Sequence, residues 1–220
     1  TIGSERRLWK LAKDSAVLLC ISLAITPAFK MKFWNLGGNG QILVGCLAAI
    51  ACMFYLGGKL PDAVLILIMT VASIVAGAVW GVLPAIFKAH FGTNESLFTL
   101  MLNYIATGLV SMFITIWVKS GSGVLVPLKW GHFPDLFGSK YLLTILVFFT
   151  LAVLMYVYLK YTKHGYEISV VGDSPNTAKY IGIDVKRVII RTMIISGALC
   201  GVVADEPVFF HHRCGLYHPV

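Results

Sequence analysis

Charge is scarce in this sequence: only 13% of its 220 residues are charged, and Asp and Glu number 10 against 18 Lys and Arg. A soluble domain carries about 25%, so an ordinary water-facing surface is excluded. The positive excess of +8 is spread along the chain without forming a basic stripe, which argues against nucleic acid as a partner. No Gly-x-x-x-x-Gly-Lys-[Ser/Thr] loop is present, so the chain lacks that device for binding ATP. Cysteine forms no disulfide framework: Cys20, Cys46, Cys52 and Cys200 sit in apolar runs as small hydrophobes, and Cys214 lies near the end. A secretory signal is excluded as well. Arg6, Arg7, Lys10 and Lys13 precede an apolar run, but Lys30 and Lys32 occupy the place of a small-residue cleavage site.

What is abundant is apolar surface, at 58% hydrophobic residues and a mean hydropathy of +0.82. Six uncharged runs follow one another: 15–29, 33–58, 63–87, 97–118, 141–159 and 192–204. The expected class is an all-α polytopic membrane protein with about five to six spans, one of them a broken helix. Runs 63–87, 97–118 and 141–159 reach the roughly 20 residues that a bilayer demands. Run 15–29 is short and gains length by snorkelling Lys13 and Lys30 or by continuing into the following backbone. Run 192–204 is too short to cross. None of the six holds an acid, a base or a histidine, so an intramembrane catalytic group is missing and a transport or docking role is expected rather than an enzyme.

Three polar features interrupt this pattern. The segment Gly172-Asp173-Ser174-Pro175-Asn176-Thr177-Ala178-Lys179-Tyr180-Ile181-Gly182 carries start and stop signals for one short helix. Ser174 suits the N-cap, Pro175 the first helical position, and Gly182 the left-handed residue beyond the end. So short a helix is marginal alone and needs support from its own domain or a partner; it reads either as a docking element or as an ordinary loop helix. The second feature is Phe33–Gln41, where Asn35, Gly37, Gly38, Asn39, Gly40 and Gln41 make a poor continuous helix. It reads as a broken helix or as an interfacial turn. Third, Asn103 lies mid-run beside Tyr104, where an amide must find a partner on another helix or in a pore.

Small residues at helical spacing, Ala72, Ala76, Gly77 and Gly81 with Gly197 and Gly201, read as close helix contacts, with Pro84 kinking its span. Ile74–Val82 also echoes Ile194–Val202, with identity at the first Ile, both Gly, the Ala and the last Val. Internal repeats of this kind occur in transporters.

Phe87–Glu95 followed by Thr99–Ile105, the Phe33–Gln41 segment, and Gly172–Gly182 running on into Ile183-Asp184-Val185-Lys186-Arg187 together resemble the permease subunits of bacterial ABC importers. The similar branch is that for simple sugars and nucleosides, related to the branched-chain amino acid permeases, and the likeness covers about residues 12–204. It implies a partial permease domain over 1–204 with a cytoplasmic coupling loop at about 160–187. Gly172, Ser174, Pro175, Asn176, Ala178, Tyr180 and Gly182 would then form the ATPase-coupling element. Asn35, Gly37, Gly38, Gln41, Asn103 and Tyr104 would belong to the translocation path.

The implied partners are a separate ABC ATPase subunit, a second permease subunit, an extracytoplasmic solute-binding protein or lipoprotein, and membrane lipid, with no cofactor and no metal. The implied place is the bacterial plasma membrane, with the 119–140 stretch outside. Lys and Arg divide almost evenly between the two sides, so the charge rule does not choose an orientation. Residues 205–220 leave the family pattern and read as a truncated or frameshifted, disordered tail. Its His211, His212, Cys214 and His218 lack the supporting partners that a zinc site needs. The alternatives are a branched-chain amino acid permease and a membrane scaffold that docks a cytoplasmic partner without transporting.

Overall fold

The computed structural model describes residues 5–118 and 142–204. The 119–140 stretch, the 205–220 tail and its His and Cys residues therefore lie outside the described residues. Eight helices account for all the regular structure among the described residues: α1 (Glu5–Lys30), α2 (Gly38–Leu56), α3 (Asp62–Phe91), α4 (Glu95–Trp117), α5 (Leu142–Tyr161), α6 (Lys163–Asp173), α7 (Pro175–Tyr180) and α8 (Val185–Ala204). Six of them, all but α6 and α7, are long and apolar enough to cross a membrane.

Two of the short runs become full spans. α8 starts at Val185, before the run counted from Thr192, and its 20 residues reach roughly 30 Å at 1.5 Å per residue. The expectation that this segment is too short to cross is thereby corrected. Its first turns carry Lys186, Arg187 and Arg191, and Asp184 Oδ1 accepts from the free Lys186 and Arg187 amides at 3.1 and 3.3 Å. Counting uncharged residues ended the span early because Arg191 bonds Glu167 on α6 and so remains inside the helix. α1 likewise runs through Asp14 and the buried Lys13.

The centre of the bundle is the crossing of α3 and α8. A Cβ on Gly77 would stand 2.5 Å from Gly197 O, and one on Gly81 would stand 2.9 Å from Met193 O. One on Gly201 would collide with Ser73 O, and Ser73 Oγ donates to Gly201 O at 2.7 Å. Numbers rise on one helix as they fall on the other, so the pair is antiparallel. Its middle is Gly77 on Gly197, the two residues that the echo aligns. The echoing segments are thus each other's packing partners, related by a local two-fold. Ala72 and Ala76, both half-buried, line a groove on α3 with Leu67, Ile68, Val71 and Val75. α3 continues through the buried Pro84.

The 33–58 run is divided. Residues 31–37 form a non-helical turn between α1 and α2, and the continuous span begins only at Gly38. That turn is folded into the protein, with Phe33 and Asn35 at 3% and 1% exposure, the condition under which irregular backbone is tolerated in such a bundle. α3 and α4 meet in a tight hairpin through Gly92 at φ 64°. Asn94 caps α4 by accepting from Ser96 and Leu97 amides, and Lys88 bridges to Glu95 at 2.6 Å.

Candidate functional site

The 162–184 segment holds two helices where one was expected. Thr162 Oγ1 accepts from Gly165 N at 3.2 Å and starts α6, whose Ile168 and Val171 are buried. Thr162 as a cap, followed by apolar residues at helical spacing, was the signal available for it. Ser174 ends α6 and begins α7, its Oγ accepting from Thr177 N at 3.3 Å, with Pro175 in the first turn. The close of α7 is a Schellman motif: Gly182, at φ 85°, donates its N–H to Lys179 O, and Ile183 N donates to Ala178 O at 2.9 Å. The caps expected from Ser174, Pro175 and Gly182 are therefore present.

α7 has two unlike faces. Ala178 is fully buried in the cluster that also holds Phe33, Ile168, Val171 and Val188, and α7 packs on α6 and α8. Tyr180 is 90% exposed, and Asn176, Thr177, Lys179 and Ile181 share that outer side. Ala178 is thus a support from within. Tyr180 is the residue free to meet another protein.

Gly172 lies inside rather than on the docking face. A Cβ there would collide with Lys30 O and stand 3.2 Å from Met31 Cα, so the end of α6 rests directly on the turn that opens the 31–37 segment. From there a chain of bonds leads into the membrane helices. Asn35 Oδ1 accepts from Gly37 N at 3.0 Å, and its Nδ2 donates to Ser196 Oγ on α8 at 3.5 Å. Leu36 N donates to Thr99 Oγ1 on α4. Asn103 Nδ2 donates to Leu36 O and its Oδ1 accepts from Gly40 N, both at 2.8 Å. Asn103 thereby satisfies one of the free amides that every helix start leaves open. Its mid-run amide is spent on the 31–37 turn and the start of α2, the packing alternative left open above.

Of the other residues expected on the path, Gly37 and Gly38 face Thr99 and Ile25 respectively, and Gln41 is buried beside Gly81. Tyr104 is 78% exposed, apart from that bonded group. Thr107, Gly108, Ser111 and Thr115 continue its exposed side along α4. Sequence reading missed Trp80, which the fold brings from α3 against Gly40.

α6 is held on α8 by an ion pair that tertiary structure alone reveals. Arg191 Nη2 donates to Glu167 Oε2 at 2.5 Å, with His164 Nδ1 at 3.6 Å, beyond hydrogen-bond length. Burial pushes the Glu167 carboxyl up, but the Arg191 bond and the neighbouring His164 outweigh it and leave it below its ordinary value of 4.5. The stabilisation is accordingly complete above that value and is lost as pH falls through the lower folded value. Arg191 is 37% exposed, so solvent screening holds the contribution to about 1 kcal/mol. E167Q is expected to lower the thermal midpoint by a few degrees at pH 7 and to flatten its decline in acid; an unchanged acid limb would assign that decline to other carboxylates.

The family description "branched-chain amino acid transport system / permease component" matches residues 8–204. The chain belongs to this permease family. Among similar proteins is the guanosine ABC transporter permease protein NupP of Bacillus subtilis, 31% identical over 82% of this chain and 53% of its own length. The nucleoside ABC transporter permease protein NupB of Lactococcus lactis is 29% identical over 91% of this chain and 58% of its own. A third, the glucose ABC transporter permease protein TsgB13 of Haloferax volcanii, is 27% identical over 92% and 57%. The chain spans a little over half the length of these relatives. No solved structure matches it. The family and the six apolar helices make it a multi-pass protein of the plasma membrane, and the named relatives fall on the nucleoside and sugar side of the family rather than the amino acid side.

Proposed function

We propose that this chain forms part of the membrane subunit of an ATP-driven importer for a small hydroxylated solute, a nucleoside or simple sugar, and that α7 docks it on a separate ATPase subunit. The observation that carries this reading is the division of α7 into a face sealed by Ala178 and a face presenting Tyr180. A two-turn helix is marginal alone, and one bolted to its own domain on one side is a rigid knob on the other. The solute class follows the relatives named for guanosine, nucleoside and glucose.

Coupling runs through contacts already described. ATP binding draws the ATPase subunits together and α7 moves with them; α6 pushes through Gly172 on the Lys30–Met31 turn; the turn passes the motion through Leu36 to Asn103 and α4. In this reading α4 lines the solute path with the exposed side that carries Tyr104, Thr107, Gly108, Ser111 and Thr115. A second permease subunit completes that path, and an extracytoplasmic solute-binding protein delivers to it.

Two measurements test this. In the complete permease, a cysteine at Asn176 is expected to be shielded from membrane-impermeant reagents in intact cells while one at Lys59, at the opposite end of the bundle, reacts; the reverse pattern would place α7 outside and end the docking reading. ATP-dependent guanosine uptake by the complete transporter separates transport from a scaffold that only docks a partner.

A further inference from the structure

Six buried side-chain atoms have no hydrogen-bond partner among the described residues, and two of them belong to neighbouring helices at one crossing: Gln41 Oε1 on α2 and Trp80 Nε1 on α3. Gln41 is 1% exposed. The two residues stand at one crossing of α2 and α3, Trp80 against Gly40 and Gln41 against Gly81. A Cβ on Gly40 would stand 3.2 Å from Trp80 Nε1, and Gly81, the neighbour of Trp80, brings α3 so close that its own Cβ would stand 3.2 Å from Gln41 Nε2. Asn103, whose Oδ1 lies 2.8 Å from that same Gly40 position, bonds Leu36 O and Gly40 N and neither of these two atoms. Buried polar groups are nearly always paired, and an unpaired one calls for a functional reason.

The chemistry of the two atoms is complementary. An indole N–H only donates, and an amide oxygen only accepts. A hydroxyl does both, so a single hydroxyl seated between them takes a bond from the indole and gives one to the amide. An amine cation or a carboxylate would leave one of the two unserved. Gly40 and Gly81 let the backbones of α2 and α3 approach closely at the crossing where both side chains stand.

We propose that Trp80 Nε1 and Gln41 Oε1 together bind one hydroxyl of the permeating solute, reached when α2, α3 and α4 separate during transport. This rests on the importer reading above and adds to it a specificity pair with stated chemistry. A trapped water offers the same donor and acceptor, so the test must distinguish the two sources.

The complete permease, assembled with its ATPase partner in proteoliposomes, is assayed as wild type, W80F, Q41M and the double variant, with guanosine, 2′,3′-dideoxyguanosine and 5′-deoxyguanosine as probes. W80F keeps the ring and removes the donor; Q41M keeps the length and removes the acceptor. Each single change is expected to raise the guanosine KM about tenfold, the range of one lost hydrogen bond, and the double change to raise it further, since the hydroxyl then loses both its donor and its acceptor. The rise should vanish for whichever analogue lacks that hydroxyl. The thermal midpoint of W80F should stay at the wild-type value, since the indole N–H is unpaired in the closed bundle. An equal KM rise for all three probes, an unchanged KM, or a lowered W80F midpoint with KM unmoved would overturn the proposal, the last in favour of a structural water. Failure of the wild type to import either guanosine or glucose would instead overturn the importer reading, and the pair's role with it.

Discussion

Tyr180→Asp is expected to release the ATPase partner from the complete transporter and to lower ATP-driven uptake about 30-fold or more. An exposed aromatic at the tip of a rigid element is the kind of side chain whose loss costs an interface 2 kcal/mol or more. Tyr180 is 90% exposed and makes no core contact, so its own membrane domain does not need it. Aspartate adds a charge where a desolvated ring would sit. The thermal midpoint of the detergent-solubilised permease should stay within a degree or two of wild type, while co-purification of the ATPase is lost. Ala178→Asp provides the contrast. It buries a carboxylate in the cluster of Ala28, Phe33, Ala85 and Val188 and should lower the thermal midpoint as well as docking. Co-purification unchanged by Tyr180→Asp would remove α7 from the interface.

Gly197→Leu should prevent the bundle from assembling. Any Cβ at this position overlaps Gly77 O and stands 3.0 Å from Ala78 Cα, and both obstacles are backbone of a helix that cannot yield without moving α3. Overpacking a core costs about 1–3 kcal/mol when neighbouring side chains can shift; here no side chain is in the way to shift, so the loss should exceed that range. Gly108→Leu, on a helix position with open space around it, is the matched control and should be tolerated for folding. The measure is the fraction of monodisperse permease recovered from membranes. Equal recovery of Gly197→Leu and wild type would refute the crossing of α3 on α8. Gly197→Ala should fall between them.

The legibility of the fold was uneven, for reasons visible at particular residues. The caps of α7 were readable because capping is local: Ser174, Pro175 and Gly182 act on amides and carbonyls within a turn of themselves. α6 was hidden because its charged and apolar residues alternate without a long run, and its stability comes from packing on α8 and the Lys30 turn. The start of α8 was placed late because a rule that ends a span at a charge has no knowledge of Glu167, 24 residues earlier in the chain, which receives Arg191. Gly77 and Gly197 were correctly singled out as close contacts, but spacing gives a face and not which neighbour the face meets.

Composition and hydrophobic run length, which depend only on how many apolar residues lie in succession, determined that this chain is a helical membrane protein, and its linked local motifs determined the family. Which side of each helix is inside was decided by tertiary structure alone. Ala178 and Tyr180 are two residues apart, yet one is sealed and the other bare, because α7 packs on one side only. Asn103 became a tie to the 31–37 turn and the start of α2 rather than a free amide because Leu36 and Gly40, more than 60 residues away, present a carbonyl and an open N–H at that height. Trp80 reaches Gly40, and Gln41 reaches Gly81, for the same reason: contacts between distant residues depend on how helices cross, and that depends on the summed shapes of all their facing side chains, which no single stretch of sequence contains.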